Sequence, residues 1–176
     1  MRRSSVIGLL VLLCACDPDT GQPPPKAAVP VDADALVAEQ KRFVEREKRD
    51  IVNYLRRHDL PVANTATGVH VVLLRDLPGD TIRPQQWAAV NYRSELLDGT
   101  LVHASEPGRP EAFLVEMDEV ESGLHEGIQH LSPGDSAVIV IPSHRAYGLI
   151  GDLDRIPMRA TVVYHIGLVD IRNARR

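Results

Sequence analysis

The feature that most restricts the fold is a change of grammar at Gly68. From there to the C-terminus the chain reads as strands separated by turn signals, with one helical stretch among them. Val69 to Leu74 is a β-branched and apolar run. In Val90, Tyr92 and Leu96 alternate residues are apolar, with Asn91, Arg93 and Glu95 between them, the mark of a half-buried strand. Ala112 to Val115, Ala137 to Ile141 and Thr161 to Ile171 are further strands. Leu77-Pro78-Gly79-Asp80, Asp98-Gly99 and Pro133-Gly134-Asp135 supply turns. Only Val120 to Leu131 suits a helix. Four or five strands with a single central helix predict an antiparallel α+β domain.

Ahead of this domain, Asp32 or Asp34 can cap a helix running to about His58. Leu36, Val37, Phe43, Val44, Ile51, Tyr54 and Leu55 recur at helical spacings and form one apolar face, while Glu45 and Arg49 pair on the solvated side. The segment 32–60 is expected to pack on its own domain, with a dimerisation helix as the alternative. Pro61 and Gly68 end it.

The N-terminus reads as an address. Arg2 and Arg3 precede the apolar run Val6 to Leu13, which is far shorter than the ~20 residues needed to cross a bilayer as a helix. A charged start, a short apolar run and small residues afterwards define a secretory signal peptide. Leu13-Cys14-Ala15-Cys16 resembles the bacterial lipobox. The expectation is a cleaved signal over 1–15, an acylated Cys16, and a tether over 16–31 that Pro18, Pro23, Pro24, Pro25 and Pro30 keep extended. The domain would then face the periplasm from a cell membrane, inner or outer. Cys14 and Cys16 are the only cysteines, so no disulfide framework is expected in the domain. Loss of Arg2 and Arg3 would leave 18 basic against 24 acidic residues. With the basic residues interspersed, there is no electrostatic footprint for nucleic acid.

Several short motifs follow one another from residue 66 to 173: Val90-Asn91-Tyr92, Leu97-Asp98-Gly99-Thr100, Gly123-Leu124-His125-Glu126-Gly127, Ser132-Pro133-Gly134-Asp135, Ile141-Pro142, Ala146-Tyr147-Gly148 and Ile156-Pro157. In this order and spacing they resemble the FK506-binding (FKBP-type) peptidyl-prolyl cis-trans isomerases. With the preceding helix and lipobox, the chain is similar to the gliding-motility-associated lipoprotein members. The resemblance implies a curved antiparallel sheet wrapped around one helix, prolyl isomerisation of exported polypeptides, proline-containing segments as partners, and no cofactor or metal.

The same resemblance implies catalytic roles for Tyr147, Tyr92 and Tyr164, and a substrate-binding wall of Val102, His103, Val120, Glu121, Leu124 and Ile156. Tyr147 would donate its hydroxyl to a substrate carbonyl, and Glu121 would act through its backbone N–H. Strand parity independently directs both strand tyrosines inward, Tyr92 with Val90 and Leu96, and Tyr164 with Val162 and Ile166. Departures stand out. The family's Phe-Asp pair is Val102-His103 here, an aromatic is replaced by Glu111, a tryptophan by Leu124, and a late-loop histidine by Asp152. A wider, more polar pocket is expected. The alternative readings are a catalytically weak FKBP-like chaperone and a structural binding module with envelope partners.

Other chemistry is poorly supported. His125 and His130 are five residues apart, leaving them about 140° apart around a helix, where two zinc ligands on one face need i, i+4 spacing. Ser143-His144 lacks a supporting triad motif. Gly148 to Gly151 lacks the Lys-Ser/Thr of a phosphate loop.

Overall fold

A computed structural model describes residues 32–62, 66–117 and 120–174. The expected signal peptide, Cys16 and the tether lie outside the described residues. Helix α1 spans Ala33–Arg57, followed by strands β1 (His70–Arg75), β2 (Gln86–Leu96), β3 (Leu101–Ala104) and β4 (Glu111–Leu114). Helix α2 (Ser122–Ile128), β5 (Ser136–Ile141), a 3₁₀ turn at Ser143–Arg145 and β6 (Val162–Asn173) complete the order. All pairings are antiparallel, in the order β1-β5-β6-β2-β3, and β4 also pairs with β2. Six strands thus replace the four or five expected. The addition is β3, a four-residue strand too short to stand out from the Asp98-Gly99 turn beside it.

The alternation along β2 and β6 turns Val90, Tyr92, Leu96, Val162, Tyr164 and Ile166 to one side of the sheet. There they meet Leu124 and Ile128 of α2 in the main core. Helix α2 sits hard on β5: a Cβ added at Gly123 would lie 2.3 Å from Ile141 Cγ2, and one at Gly127 2.7 Å from Ile139 Cγ2. Two glycines one turn apart are therefore what allows the approach. The helix is shorter than the expected 120–131, and Val120 precedes it. At the other end Gln129 caps it, and Leu131 N–H turns back to the Ile128 carbonyl.

The opposite face of the sheet holds a second core of Ile51, Tyr54, Leu55, Val72, Val138, Val140 and Val163. Asp34 in the first turn of α1 and Arg56 and Arg57 in the last suit the helix dipole. The helix closes with Asp59 at φ 54°, Asp59 N–H on the Arg56 carbonyl and Leu60 N–H on the Leu55 carbonyl at 2.8 Å, a Schellman stop. Buried Glu47 fastens α1 to the domain. Its Oε1 accepts the Ser143 N–H at 2.7 Å and the Thr161 hydroxyl at 2.9 Å.

Two expectations need correction. Only the C-terminal half of the α1 apolar face is covered, and Leu36, Val37 and Val44 remain exposed. Glu95, expected on a solvated strand face, is buried because α1 crosses that face and Tyr54 hydrogen-bonds it.

Candidate active site

Tyr92 on β2 and Tyr164 on β6 stand on neighbouring strands with ring centroids 5.7 Å apart. They share one apolar cluster with Val102, Leu124 and Ile156, against which Val120 and Tyr147 also pack. The sheet supplies the two strand tyrosines, and the chain before and within α2 supplies Val120 and Leu124. The long loop from the 3₁₀ turn to β6 supplies Tyr147 and Ile156. Gly151 is needed in that loop. It sits at φ 76°, and a Cβ there would fall 2.1 Å from the Ile156 carbonyl oxygen.

Polar contacts then divide the constellation into a floor and a rim. At the floor, Glu121 lies directly before α2 in extended conformation, and its carbonyl accepts the N–H groups of Leu124 and His125. Its side chain is buried, and Oε1 accepts the Tyr164 hydroxyl at 2.6 Å. Its backbone N–H makes no hydrogen bond among the described residues. Burial, reinforced by the Glu121 carboxylate, pushes the hydroxyls of Tyr147 and Tyr164 well above the ordinary tyrosine range. Tyr92 is pushed up to about 12 by burial, then by the charge and hydrogen bond of Glu111 and by the charge of Glu121. All three therefore remain donors at any physiological pH.

At the rim, Glu111 Oε2 accepts the Tyr92 hydroxyl at 3.2 Å, so the polar substitution is engaged rather than loose. His103 Nε2 lies 3.2 Å from Asp152 Oδ2. The corner that departs from the family's Phe-Asp pair therefore still holds a carboxylate. The acid and the imidazole have exchanged sides, with Asp152 reaching across from the late loop. Asp152 Oδ1 also accepts the N–H groups of Asp154 at 3.0 Å, Arg155 at 2.9 Å and Ile156 at 2.6 Å. Burial would raise this carboxyl, but the Ile156 and Asp154 N–H groups, His103 and the Arg155 N–H hold it down at about 2. Arg155 closes the corner by donating to the Val102 carbonyl at 2.9 Å.

Geometry thus gathers every expected site residue of the domain, while Cys16 lies outside the described residues. Val102 is completely buried, in the core behind the rim. Sequence reasoning missed the Glu121 side chain and the Asp152 link. An acid next to the helix start was the only available signal for the first, and nothing local signals a partner 49 residues away for the second. A recess of about 280 Å³ between α1 and the Gly68–His70 segment holds none of these residues; the convergent hydroxyls, not volume, single out the site.

Comparison with known proteins agrees with this geometry. The family model described as FKBP-type peptidyl-prolyl cis-trans isomerase matches residues 79–169. FK506-binding protein 2 of Debaryomyces hansenii is 32% identical over 111 residues, covering 60% of this chain and 82% of that protein. FKBP-type peptidyl-prolyl cis-trans isomerase FkpA of Escherichia coli (strain K12) is 30% identical over 114 residues, 64% of this chain but only 41% of that protein. The chain therefore spans less than half of that relative. The crystal structure of FkpA from Escherichia coli superimposes with a TM-score of 0.65 at 26% identity, over 80% of this chain and 66% of that one. A peptidyl-prolyl cis-trans isomerase structure from Pseudomonas syringae pv. tomato gives 0.64 at 25% identity, over 76% and 96%. The curved sheet, the inward tyrosines and the matched segment together make this chain a member of the FKBP-type peptidyl-prolyl cis-trans isomerase family.

Proposed function

We propose that the protein catalyses cis-trans isomerisation of X–Pro bonds in exported polypeptides, held at a cell membrane by acyl chains on Cys16 with its domain in the periplasm. The observation that carries the catalytic reading is the convergence of Tyr92, Tyr147 and Tyr164 around the apolar side chains of Leu124 and Ile156.

The chemistry asks for little else. The barrier to rotation, ~18–20 kcal/mol, comes from amide resonance. An apolar wall strips water from the imide carbonyl and weakens that resonance, and a donor aligned with the twisted form stabilises it. Leu124 and Ile156 provide wall. Tyr147, whose hydroxyl stays protonated, provides the donor, and the backbone N–H of Glu121, without a hydrogen bond among the described residues, provides a second. No nucleophile is required. Uncatalysed isomerisation takes tens to hundreds of seconds, slow enough to hold back folding.

A protease-coupled assay on X–Pro tetrapeptides tests this reading. Acceleration over the uncatalysed rate is expected, and a rate equal to background would remove it. A second reading, a chaperone with little turnover, draws support from Leu149, Ile150, Leu153 and Met158, all exposed on the loop that carries Ile156. Suppression of aggregation of an unfolded, proline-free client would distinguish it. For the anchor, the support is the lipobox sequence, and no helix among the described residues is long and apolar enough to span a membrane. Mass spectrometry of detergent-extracted protein should find an acylated N-terminal cysteine and none of residues 1–15.

A further inference from the structure

Glu121 is expected to serve through its backbone, yet its side chain is what sets this pocket apart. The carboxylate is buried and accepts the Tyr164 hydroxyl at 2.6 Å. A hydroxyl donor satisfies a lone pair but brings no positive charge. Among the described residues no lysine, arginine or histidine forms an ion pair with Glu121. Arg145 pairs with Glu126 at 2.7 Å, and Arg155 holds the Val102 carbonyl at 2.9 Å and lies 3.6 Å from Asp154. At the rim, Glu111 and Asp152 add negative charge, one on Tyr92 and the other beside His103. A carboxylate set in low-dielectric walls without a counter-cation projects its field into the space beside it.

We infer that Glu121 makes the site selective for prolyl segments with a positive charge beside the proline, Lys–Pro or Arg–Pro, over those with an acidic residue there. The selectivity rests on the isomerase reading of the pocket. It arises because a cationic side chain supplies the charge that the protein withholds, whereas an acidic one meets repulsion in a desolvated cleft.

The test compares kcat/KM of the full chain, in non-ionic detergent at low ionic strength, on three tetrapeptides differing only before proline: Lys–Pro, Leu–Pro and Glu–Pro. A Lys/Glu ratio of about tenfold is expected, equivalent to ~1.4 kcal/mol. E121Q keeps an acceptor for the Tyr164 hydroxyl and removes the charge, so the ratio should fall to within twofold of unity. Should E121Q not fold, Glu121→Leu is the second variant, and the same collapse is required of it. Glu106→Gln, which alters an exposed residue paired with Arg109, should leave the ratio standing. A wild-type ratio within twofold of unity overturns the inference. So does a ratio that survives loss of the Glu121 charge, or one that Glu106→Gln abolishes equally. If none of the three peptides is turned over, it is the isomerase reading that falls. Charge preference is then decided by NMR titration with the Lys–Pro and Glu–Pro peptides, where equal affinities overturn it.

Discussion

The two faces of the sheet each bury a tyrosine–glutamate pair, and the pairs are built differently. On the α1 side, the Tyr54 hydroxyl reaches Glu95 at 3.1 Å, and the same carboxylate is met by His165 at 3.0 Å and by Arg93 at 3.7 Å. On the α2 side, the Tyr164 hydroxyl reaches Glu121 at 2.6 Å, and among the described residues no cation pairs with that carboxylate. Burial pushes Glu95 upward, but the hydrogen bonds and charges of His165, Tyr54 and Arg93 outweigh it and leave the group below its ordinary value of 4.5. A buried acid surrounded by donors and cations fastens two elements together. A buried acid met by one hydroxyl, and by no cation among the described residues, is left without a charge partner. The contrast divides the molecule into a stapled face and a face built for a visitor.

The sharpest way to break that division is to weaken the staple. Leu55 is fully buried between α1 and the sheet. Leu55→Ala should cost about 2–5 kcal/mol, the usual range for a large-to-small change in a packed core. The denaturant midpoint measures it, and a loss well under 1 kcal/mol would show that α1 is an appendage rather than half of a core.

The next effect is on pH dependence. A folded-state value below 4.5 means that the Glu95 contribution is present above the unfolded value and lost as pH falls through the lower folded one. Glu95→Gln should therefore be less stable than the wild type at pH 7, by roughly 1–3 kcal/mol for a buried hydrogen-bonded group. The two stability curves should converge below pH 4.5. Parallel curves throughout the acid range would mean that Glu95 is not the group being titrated.

How far the sequence foretells this division follows from how local each signal is. Tyr92 and Tyr164 were legible because strand parity is a two-residue rule, and the Asp98-Gly99 turn because its chemistry is contained in two residues. The turn forms with Gly99 at φ 88° and Thr100 N–H on Asp98 Oδ1 at 2.9 Å. The α1 limits, expected from a cap at Asp32 or Asp34 to about His58, are Ala33–Arg57. What stayed hidden depends on distant partners. Glu95 looked solvated because alternation along one strand knows nothing of a helix 41 residues away. Leu36, Val37 and Val44 share the α1 periodicity with Ile51 and Leu55, yet periodicity does not say where the sheet beneath a helix ends. Glu121 is named by the resemblance for its backbone N–H alone, and its side chain comes into view only through Tyr164, 43 residues on.

On the other face, Tyr147→Phe sharpens the comparison by separating catalysis from stability. Glu121 and Tyr164 bond each other without the Tyr147 hydroxyl. Folding should change by less than about 1.5 kcal/mol. Loss of one donor to the twisted imide should reduce kcat/KM roughly tenfold, ~1.4 kcal/mol. Unchanged turnover would return Tyr147 to the core as a packing residue.

The smallest effect belongs to the exchanged pair at the rim. By the resemblance, restoring the family's pair, Val102→Phe with His103→Asp, reads as a gain. With Asp152 in place it becomes a loss, because two carboxylates would then stand where His103 Nε2 and Asp152 Oδ2 now lie 3.2 Å apart. The loop has no slack to separate them. Asp152 Oδ1 is already fixed by three backbone N–H groups, among them that of Ile156, whose side chain is pocket wall. Simple reciprocal exchange does not restore the corner either, since an imidazole at 152 cannot accept three N–H donors. His103→Asp should therefore lower kcat/KM about two- to threefold, under 1 kcal/mol for a partly exposed pair. His103→Asn, whose amide can still donate to Asp152, should stay close to the wild type. Equal rates for both variants would mean that the loop holds Ile156 without help from β3, leaving Asp152 as a staple of its own loop alone.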